Sequence, residues 1–553
     1  MIKKSALALT VAAIILSGCS HKDPKIYATD GPVADGDMLV ESTIGDAKNL
    51  NPPLIDEVGG ADIADLVFNG LLRFNEKMEP LPCLAERWTV SKDGKTITYY
   101  LRKGVKFHDG VEFTADDVVF TYKVYSDPTV NTPAGSNYQD IKSVEIMDPY
   151  IVKVVYKRPY APALSGTFDN ILPKHLLEGQ DINNCDFNRH PVGTGPYKFV
   201  EWKTAQKIVL EANPDYWEGA PHIKKFVMRI ITDQTTEFLE LLNGGIDAMG
   251  AWTHSTMTAE QYVRQTDTPK YKDYYNSFPA QDLAYSYIGW NELNPLFQDK
   301  KVRQALTMSI DRDTILKNVS YGFGTIATGP FPLGSWAANP AIKPWPYDIE
   351  KAQKLFAQAG WKPGKDGLLH KLVKGKDTPF KFTMMINQGA VARERTATIV
   401  QQQLKQVGIQ MEIQVVEWTT FLSQYVNKKK FDAVLLAWTL TPDPDTDLYP
   451  TWHSSQTGEH QYNFISYKNK RVDSLLMEGR RTMDLKKRAK IYHQIHSILN
   501  DEQPYTFMFV PKNLAAVHKR FKGFTIDPEA IRIHPEIGVQ KWYVPAAQQK
   551  FVP

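Results

Sequence analysis

Residues 380–438 read FKFTMMINQGAVARERTATIVQQQLKQVGIQMEIQVVEWTTFLSQYVNKKKFDAVLLAW, and this stretch decides the fold class. Its hydrophobic pattern alternates between the period of a strand and the period of a helix. In chain order it predicts a strand over 380–386, a helix over 391–407, a strand over 409–416, a helix over 419–427 and a strand over 431–437. Strands joined by such helices run parallel in a buried sheet. The stretch therefore predicts an α/β fold.

The carboxyl ends of these three strands are the first candidate ligand site. Ligands of open α/β sheets collect there, because loops and helix N-termini converge beyond those ends. Asn387, Trp418, Trp438 and Thr439 occupy the positions at or just after the three ends. The two indoles offer stacking surfaces and an N–H donor. The alternative for each tryptophan is that it caps the core.

Strand-then-helix patterns also occur before this stretch. A strand over 225–231 precedes Asp233, a suitable N-cap, and a helix that ends before Gly244. Residues 302–316 are predicted to form one amphipathic helix, because apolar side chains recur on one face. The chain as a whole therefore predicts a mixed α/β architecture.

The N-terminal residues predict export and membrane anchoring. Lys3 and Lys4 precede an apolar run over 6–16, which is too short to span a bilayer. Cys19 directly follows Leu-Ser-Gly, which resembles the bacterial lipobox. We expect a signal peptide over 1–18, a lipid on Cys19 and a polar tether over 19–35. The alternative is an ordinary signal peptide with a coincidental cysteine, and the choice of membrane stays open.

Composition excludes little beyond nucleic-acid binding. The chain has 553 residues, 42% hydrophobic and 23% charged, and its 65 basic residues nearly balance its 62 acidic ones. These values are ordinary for a globular body with two or three lobes. Cys83 and Cys185 either form a disulfide or remain free thiols, and the sequence leaves both alternatives open.

No spacing typical of catalysis or of metal binding stands out. His108-Asp109 resembles a dyad, but a turn of Asp-Gly geometry explains it better. Acidic residues at 443, 445 and 447 are interrupted by prolines and lack the glycine of a calcium loop. We therefore predict no enzyme, no cofactor and no metal. Paired carboxylates for glycoside hydrolysis stay open, because such partners can be distant in sequence.

Several longer motifs carry a family resemblance. They are PCLAERW (82–88), LRKGVKFHDGVEFTADDVVFTY (101–122), PVGTGPYKF (191–199), ANPDYWEGAPHIKKF (212–226), KKVRQALTMSIDR (300–312) and AWTLTPDPD (437–445). In this order they resemble the peptide-binding family (family 5, oligopeptide and dipeptide type) of solute-binding lipoproteins of bacterial ABC importers. The resemblance covers about residues 38–515.

The resemblance implies a type II periplasmic-binding fold, with two lobes, a hinge and an extra domain. By order, lobe I takes 36–75, 190–285 and 515–553, the extra domain takes 76–189, and lobe II takes 286–514. A monomer of this fold captures a peptide between its lobes and presents it to an ABC permease, in the periplasm or at the cell surface.

The resemblance also adds site residues and a doubt about the ligand. Relatives that bind a peptide amino terminus carry an aspartate where this chain has Thr441, and some carry a basic residue where it has Leu435. A one-residue gap brings Asp443 into the ammonium position, and Asn463 lies in a matching Tyr-Asn-Phe motif. Peptide leads as ligand. Nickel chelates, haem, opines or oligosaccharides remain alternatives, as does a lipid-anchored hydrolase on the same scaffold.

Overall fold

The computed structural model describes residues 25–26, 32–74, 80–163, 170–253, 256–331, 334–440, 444–526 and 538–551. The predicted signal peptide, Cys19 and most of the tether lie outside these residues, and so do Thr441 and Asp443. Within the described ranges, no helix has both the length and the apolar character needed to cross a membrane.

Residues 380–438 form the predicted βαβαβ unit, and its three strands run parallel. Two antiparallel strands from elsewhere in the chain complete a five-stranded sheet. In sheet order the strands are Gln410–Val416, Lys381–Asn387, Ala433–Thr439, Ala284–Trp290 and Tyr505–Phe507. The connecting helices are Val391–Gln406 and Trp418–Thr420, the latter continuing as a π-helix over Phe421–Val426. The prediction for this stretch is confirmed.

This sheet is the centre of the second lobe, a name used here for the elements between 284 and 507. Its remaining helices are Lys300–Met308, Arg312–Val319, Ile349–Gln358, Pro444–Trp452, Lys470–Arg481 and Leu485–Glu502. A small antiparallel sheet consists of Lys362–Pro363, Leu369–Val373 and Lys376–Pro379. The strand Gly324–Ile326 is the exception within this range, because it pairs with Phe509–His518 in a sheet of the first lobe.

The first lobe contains two four-membered sheet systems. One has the order Met38–Thr43, Lys225–Ile230, Lys207–Ala212 and Tyr197–Lys203. The other joins Ala248–Met249, Phe509–His518 and Tyr275–Gln281 to the strand Gly324–Ile326. The helices of this lobe are Val58–Val67, Gln234–Asn243, Ala259–Gln265 and Pro269–Tyr274. Asp233 caps the helix Gln234–Asn243 and Gly244 ends it with a φ of 75°, as predicted.

The extra domain is built on a third antiparallel sheet with the order Ala85–Val90, Thr96–Leu101, Ile151–Tyr156 and Ile141–Asp148. The helices Ala115–Ser126 and Lys174–Leu177 accompany it, and Leu72–Phe74 pairs with Pro80–Pro82 beside it. Cys83 in this region and Cys185 are not joined by a disulfide bond, so the disulfide alternative is not realised.

The chain crosses between the lobes twice, each time from one strand to the next. Tyr275–Gln281 pairs in the first lobe and Ala284–Trp290 in the second. The chain returns where Tyr505–Phe507 of the second lobe gives way to Phe509–His518 of the first. The lobe limits predicted from the sequence, 285/286 and 514/515, fall inside these strands, and the sheet pairing puts both crossings a few residues earlier.

The prediction of a single helix over 302–316 is wrong. Two helices, Lys300–Met308 and Arg312–Val319, replace it. The Ser309 hydroxyl donates to the carbonyl of Ala305 at 2.8 Å and ends the first helix. Asp311 then caps the second, since its Oδ1 accepts the N–H of Thr314 at 2.9 Å. Side chains that bond to the backbone in this way compete with a continuous helix.

The buried hydrophobic residues that the structure describes fall into separate clusters. The two clusters of the second lobe contain only residues between 283 and 510. A third cluster joins the helix of the extra domain, through Phe120 and Val124, to Leu39 and Phe226 of the first lobe. The extra domain therefore shares a core with the first lobe, whereas the second-lobe clusters take only Val510, where the chain crosses, from the strands of the first lobe.

The PVGTGPYKF motif owes its glycines to close backbone packing. A Cβ at Gly193 would lie 2.0 Å from the carbonyl oxygen of Val67, and one at Gly195 would lie 2.5 Å from that of Leu66. The Gly195 N–H donates to Val67 at 2.8 Å. Backbone atoms cannot yield as a flexible side chain can, so only glycine fits.

We expect Gly193→Ala to lower the free energy of unfolding by about 1–3 kcal/mol, because the added methyl group overpacks a rigid contact. Denaturant unfolding of the ligand-free protein measures it. The control is Gly458→Ala at an exposed turn, where the nearest atoms belong to the Gln461 side chain. Equal stability of the two variants would contradict this account of the motif.

Candidate ligand site between the lobes

The end of the strand Lys381–Asn387 joins a buried amide to a partly buried cation. Asn387 is 1% exposed, and its Oδ1 accepts a hydrogen bond from the Arg393 guanidinium. The Asn387 amide nitrogen donates to the carbonyl of Gln388 at 3.2 Å. Arg393 lies in the first turn of the following helix, Val391–Gln406. Asn387 therefore orients the guanidinium at the strand end.

Arg393 was not predicted from the sequence, and its charge is the most notable feature of the site. Burial lowers the pKa of Arg393 to about 10, so the group stays protonated at neutral pH. Among the ion pairs of the described residues, none involves this side chain. A desolvated cation is costly without a counter-charge, so an anionic ligand group is the chemistry that fits. The sequence signal was an arginine just after a parallel strand.

Gly389, two residues after Asn387, brings the lobes into backbone contact. Gly389 has a φ of 81°, and a Cβ there would lie 1.8 Å from the carbonyl oxygen of Thr232 in the first lobe. The N–H of Gln234 donates to the carbonyl of Gly389 at 3.3 Å. Only glycine permits this approach and this backbone conformation together. The described structure is therefore closed at the first strand end.

Trp418 makes the corresponding contact at the second strand end. Its indole lies over Gly45 of the first lobe, where an added Cβ would be 2.5 Å from the ring carbon Cδ1. Glu417 fixes the helix start under the ring, since its carboxylate accepts the N–H groups of Thr419 and Thr420 at 2.8 and 2.9 Å. The structure thus places Trp418 between the lobes, while part of the ring packs on the second-lobe core.

Trp438 at the third strand end is half-buried in an aromatic cluster. Its ring lies parallel to Tyr287 at 6.3 Å and edge-on to Tyr462 at 5.1 Å. The indole N–H donates to the Tyr505 hydroxyl at 3.3 Å. Both predicted roles, core cap and ligand platform, are compatible with this partial burial, and a direct ligand contact stays a prediction.

The remaining predicted residues divide into three groups. Thr439 ends its strand with an exposed side chain. Thr441 and Asp443 lie outside the described residues. Asn463 is fully buried: its amide donates to the carbonyl of Tyr467 at 2.9 Å and accepts the Tyr467 N–H at 2.9 Å. Asn463 thus holds the loop that carries Tyr462, and a ligand contact for it stays a prediction.

Polar contacts extend the interface between the lobes beyond the strand ends. Arg395 of the second lobe forms an ion pair with Glu260 of the first. The amide of Asn427 donates to Asp56 at 3.3 Å, and Asp56 is held by Lys48 at 2.5 Å. Contacts of this kind exchange readily for water, because the net gain of each is small.

On the first-lobe side, a buried carboxyl supports the strand that leads to Gly45. Glu41 is 0% exposed and accepts the N–H groups of Trp252 and Thr253, the latter at 2.7 Å. Desolvation by burial raises the pKa of Glu41 to about 7, against the lowering effect of these hydrogen bonds. The carboxyl is thus partly protonated near neutral pH.

The residues considered for catalysis are engaged structurally. His108 Nε2 lies 3.0 Å from the carbonyl oxygen of Gly195, and burial lowers the pKa of His108 to about 4. Asp109 instead lies 2.6 Å from Nε2 of His175 and accepts the N–H of Val111. The turn interpretation of this pair is confirmed. Across the described ranges, no group of three or more His, Cys, Asp or Glu residues could hold a metal ion.

Comparison with known proteins agrees with this geometry. Residues 79–459 match the family of bacterial extracellular solute-binding proteins, family 5. The oligopeptide-binding protein AppA of Bacillus subtilis is 36% identical, covering 97% of each chain.

Solved structures lead to the same family. AppA of Bacillus subtilis in complex with a nonapeptide has a TM-score of 0.85 at 35% identity, covering 93% of this chain and 100% of that chain. NikZ of Campylobacter jejuni in complex with Ni(L-His) has a TM-score of 0.81 at 30% identity, covering 92% and 99%. The two-lobed type II periplasmic-binding fold expected from the sequence is confirmed.

The buried carboxyl of Glu41 makes a pH-dependent contribution to stability. Its pKa is raised from 4.5 to about 7 in the folded chain, so the contribution is complete below the unfolded-state pKa and is lost as pH rises through 7. We expect Glu41→Gln, which does not titrate, to flatten the decline between pH 5 and 8 by about 2 kcal/mol.

Denaturant unfolding at each pH gives the free energy of unfolding. The exposed Glu211, two strands away in the same sheet, provides the control variant Glu211→Gln. Parallel pH curves for wild type and Glu41→Gln would rule out a titrating Glu41.

Proposed function

The chain belongs to the bacterial extracellular solute-binding proteins, family 5, and from that premise we propose that it captures peptides between its lobes and delivers them to the permease of an ABC importer. The observation that carries the proposal is the interface between the lobes. The ends of two of the three parallel strands meet the first lobe there, at Gly389 and at Trp418, through contacts that are polar or involve glycine. The hydrophobic clusters of the second lobe take only Val510, where the chain crosses, from the strands of the first lobe. Such lobes can separate and close around a solute.

Peptide is the proposed solute class, since AppA of Bacillus subtilis is named for oligopeptides and its structure holds a nonapeptide. Arg393 supplies a partly buried cation for a carboxylate of the ligand. Trp418, Trp438 and Thr439 provide stacking and polar contacts from the strand ends. Thr441 and Asp443 are the proposed neighbours of the peptide ammonium, with Asp443 as its counter-charge.

The rest of the proposal concerns placement. Residues 1–18 are removed, Cys19 is lipidated, and the body works as a monomer outside the cytoplasm on a membrane tether. It is not an enzyme and needs no cofactor. Lobe I comprises 36–75, 190–285 and 515–553, the extra domain 76–189 and lobe II 286–514, with the lobe crossings adjusted to the strands described above.

We expect the purified protein to contain or take up peptides without cleaving them. The protein is incubated with an equimolar pool of random-sequence nonapeptides, separated from free peptide, and analysed by native mass spectrometry before and after denaturation. Recovery of intact peptides supports the proposal. Recovery of no ligand, or of cleaved fragments only, contradicts it.

The same measurement separates the other solutes. NikZ of Campylobacter jejuni, which is similar to this chain, was solved with Ni(L-His). A nickel isotope pattern on the intact protein, or a haem absorption band, would replace peptide with one of these solutes. Peptide turnover would instead support the hydrolase.

The role of Arg393 is tested with Arg393→Met. We expect affinity for the nonapeptide pool to fall roughly tenfold or more, the scale of a lost charge-assisted hydrogen bond. Lys405→Met, at an exposed position near the end of the same helix, is the control. Titration calorimetry measures both. Equal affinities for the two variants would mean that Arg393 supports the fold and does not bind the ligand.

A further inference from the structure

Arg480 lies where the second lobe meets the extra domain. It is in the last turn of the helix Lys470–Arg481 and is only 2% exposed. Its guanidinium lies 3.8 Å from the ring centroid of Tyr449 in the helix Pro444–Trp452. That helix begins directly after the segment proposed to face the peptide ammonium. Arg480 therefore touches the element that continues from the ligand segment.

The other face of the Arg480 side chain is held by the extra domain. Nη2 donates to Oδ1 of Asn137 at 2.7 Å, and Nη1 donates to the carbonyl of Ser136 at 3.2 Å. The ring of Tyr160 lies 5.6 Å from the guanidinium carbon. The Arg480 guanidinium thus donates two hydrogen bonds and lies near two aromatic rings, and these contacts link the second lobe to the extra domain.

A second contact lies beside it. A Cβ at Gly94, in a turn of the extra domain, would be 3.2 Å from Cε of Met483, which follows the Arg480 helix. Arg480 and Met483 thus form a contact patch between the extra domain and the second lobe.

The hydrophobic clusters indicate which domains share a core and would move as one body. The extra domain is fixed to the first lobe through a common core that includes Phe120 and Val124. The clusters of the second lobe contain no residue of the extra domain, and they take only Val510, where the chain crosses between the lobes, from the strands of the first lobe. When the lobes separate as rigid bodies, the extra domain moves with the first lobe, and the contacts of Arg480 to Asn137 and Ser136 must break.

We infer that Arg480 is a positioning residue for ligand capture: it clamps the extra domain to the helix Pro444–Trp452 in the closed protein. The inference rests on the proposed function, because it assumes that closure accompanies binding. When the lobes open, the guanidinium loses its contacts with the Ser136 carbonyl, the Asn137 amide and the Tyr160 ring, and water replaces them. Arginine suits this exchange, because its planar group satisfies several acceptors at once yet stays charged and soluble when released. The clamp adds closing free energy without touching the ligand.

The test compares Arg480→Met with Arg481→Met, a change of the same kind at the exposed neighbour on the same helix. We expect Arg480→Met to weaken binding of the random-sequence nonapeptide pool roughly tenfold, the scale of losing a charge-assisted hydrogen bond. The melting temperature of the ligand-free protein should match that of Arg481→Met, because the open form exposes the side chain. Unchanged affinity, or equal loss of affinity in both variants, overturns the inference.

Closure is also measured without ligand. Glu260→Cys and Arg395→Cys replace the ion pair across the lobes, and a short bis-maleimide crosslinks them when the lobes meet. Arg480→Met should slow crosslinking in this background, whereas Arg481→Met should not. If the wild-type protein captures no peptide, the proposed function fails. The crosslinking rate then tests by itself whether Arg480 clamps the two domains. Equal crosslinking rates overturn it.

Asn137→Ala provides a second route from the opposite side of the contact, and it decides the question if Arg480→Met does not fold. We expect a smaller loss of affinity in the same direction. Combined with Arg480→Met, it should add little further loss, because the two side chains share one interaction. Fully additive losses would mean that the residues act independently, which contradicts a clamp.

Discussion

The lobes of this protein meet through hydrogen bonds, an ion pair and glycine-mediated backbone approaches, while their buried hydrophobic residues stay in separate clusters. Burial of apolar surface is the dominant favourable term in protein folding. Each lobe therefore keeps its own stability whether or not it touches the other. Polar contacts at the interface exchange protein partners for water at small net gain. The closed state is thus held by a small free energy, which a bound solute can supply.

Two glycines set how closely the lobes approach. At Gly389 the backbone of the second lobe reaches the carbonyl of Thr232, and at Gly45 the first lobe accepts the ring of Trp418. Larger residues would hold the lobes apart at the ends of two parallel strands. Closure therefore desolvates this region, and with it Arg393, whose charge then favours a ligand that carries an anionic group.

The first lobe and the extra domain act on closure as one body. Their common core fixes the turn of residues 135–137 relative to the strand that leads to Gly45. Contacts at Arg480 and contacts at the strand ends are consequently made and broken together, although they lie in different parts of the interface. Under the proposed clamp, a ligand bound at the strand ends would be assisted by residues that it never touches.

Local signals predicted local structure well. The βαβαβ unit, the Asp233 cap and the turn at His108 and Asp109 all follow from patterns within a few residues, and the structure confirms each. The single helix over 302–316 failed because the apolar period continues through a break that Ser309 and Asp311 impose by bonding to the backbone. Periodicity reports which face is buried and does not report whether the helix is continuous.

The sequence by itself determined the α/β class, the parallel unit and the family to which the motifs belong, and it predicted the strand ends as the candidate site. Only the tertiary structure decided which residues face one another across the lobes: Gly389 with Thr232, Trp418 with Gly45, and Arg480 with Asn137. It also placed the partly buried charge of Arg393 beside Asn387 and engaged the amide of Asn463 within its own loop. The physical reason is that strand and helix patterns arise from neighbours in the chain, whereas burial, desolvation and closure depend on segments hundreds of residues apart.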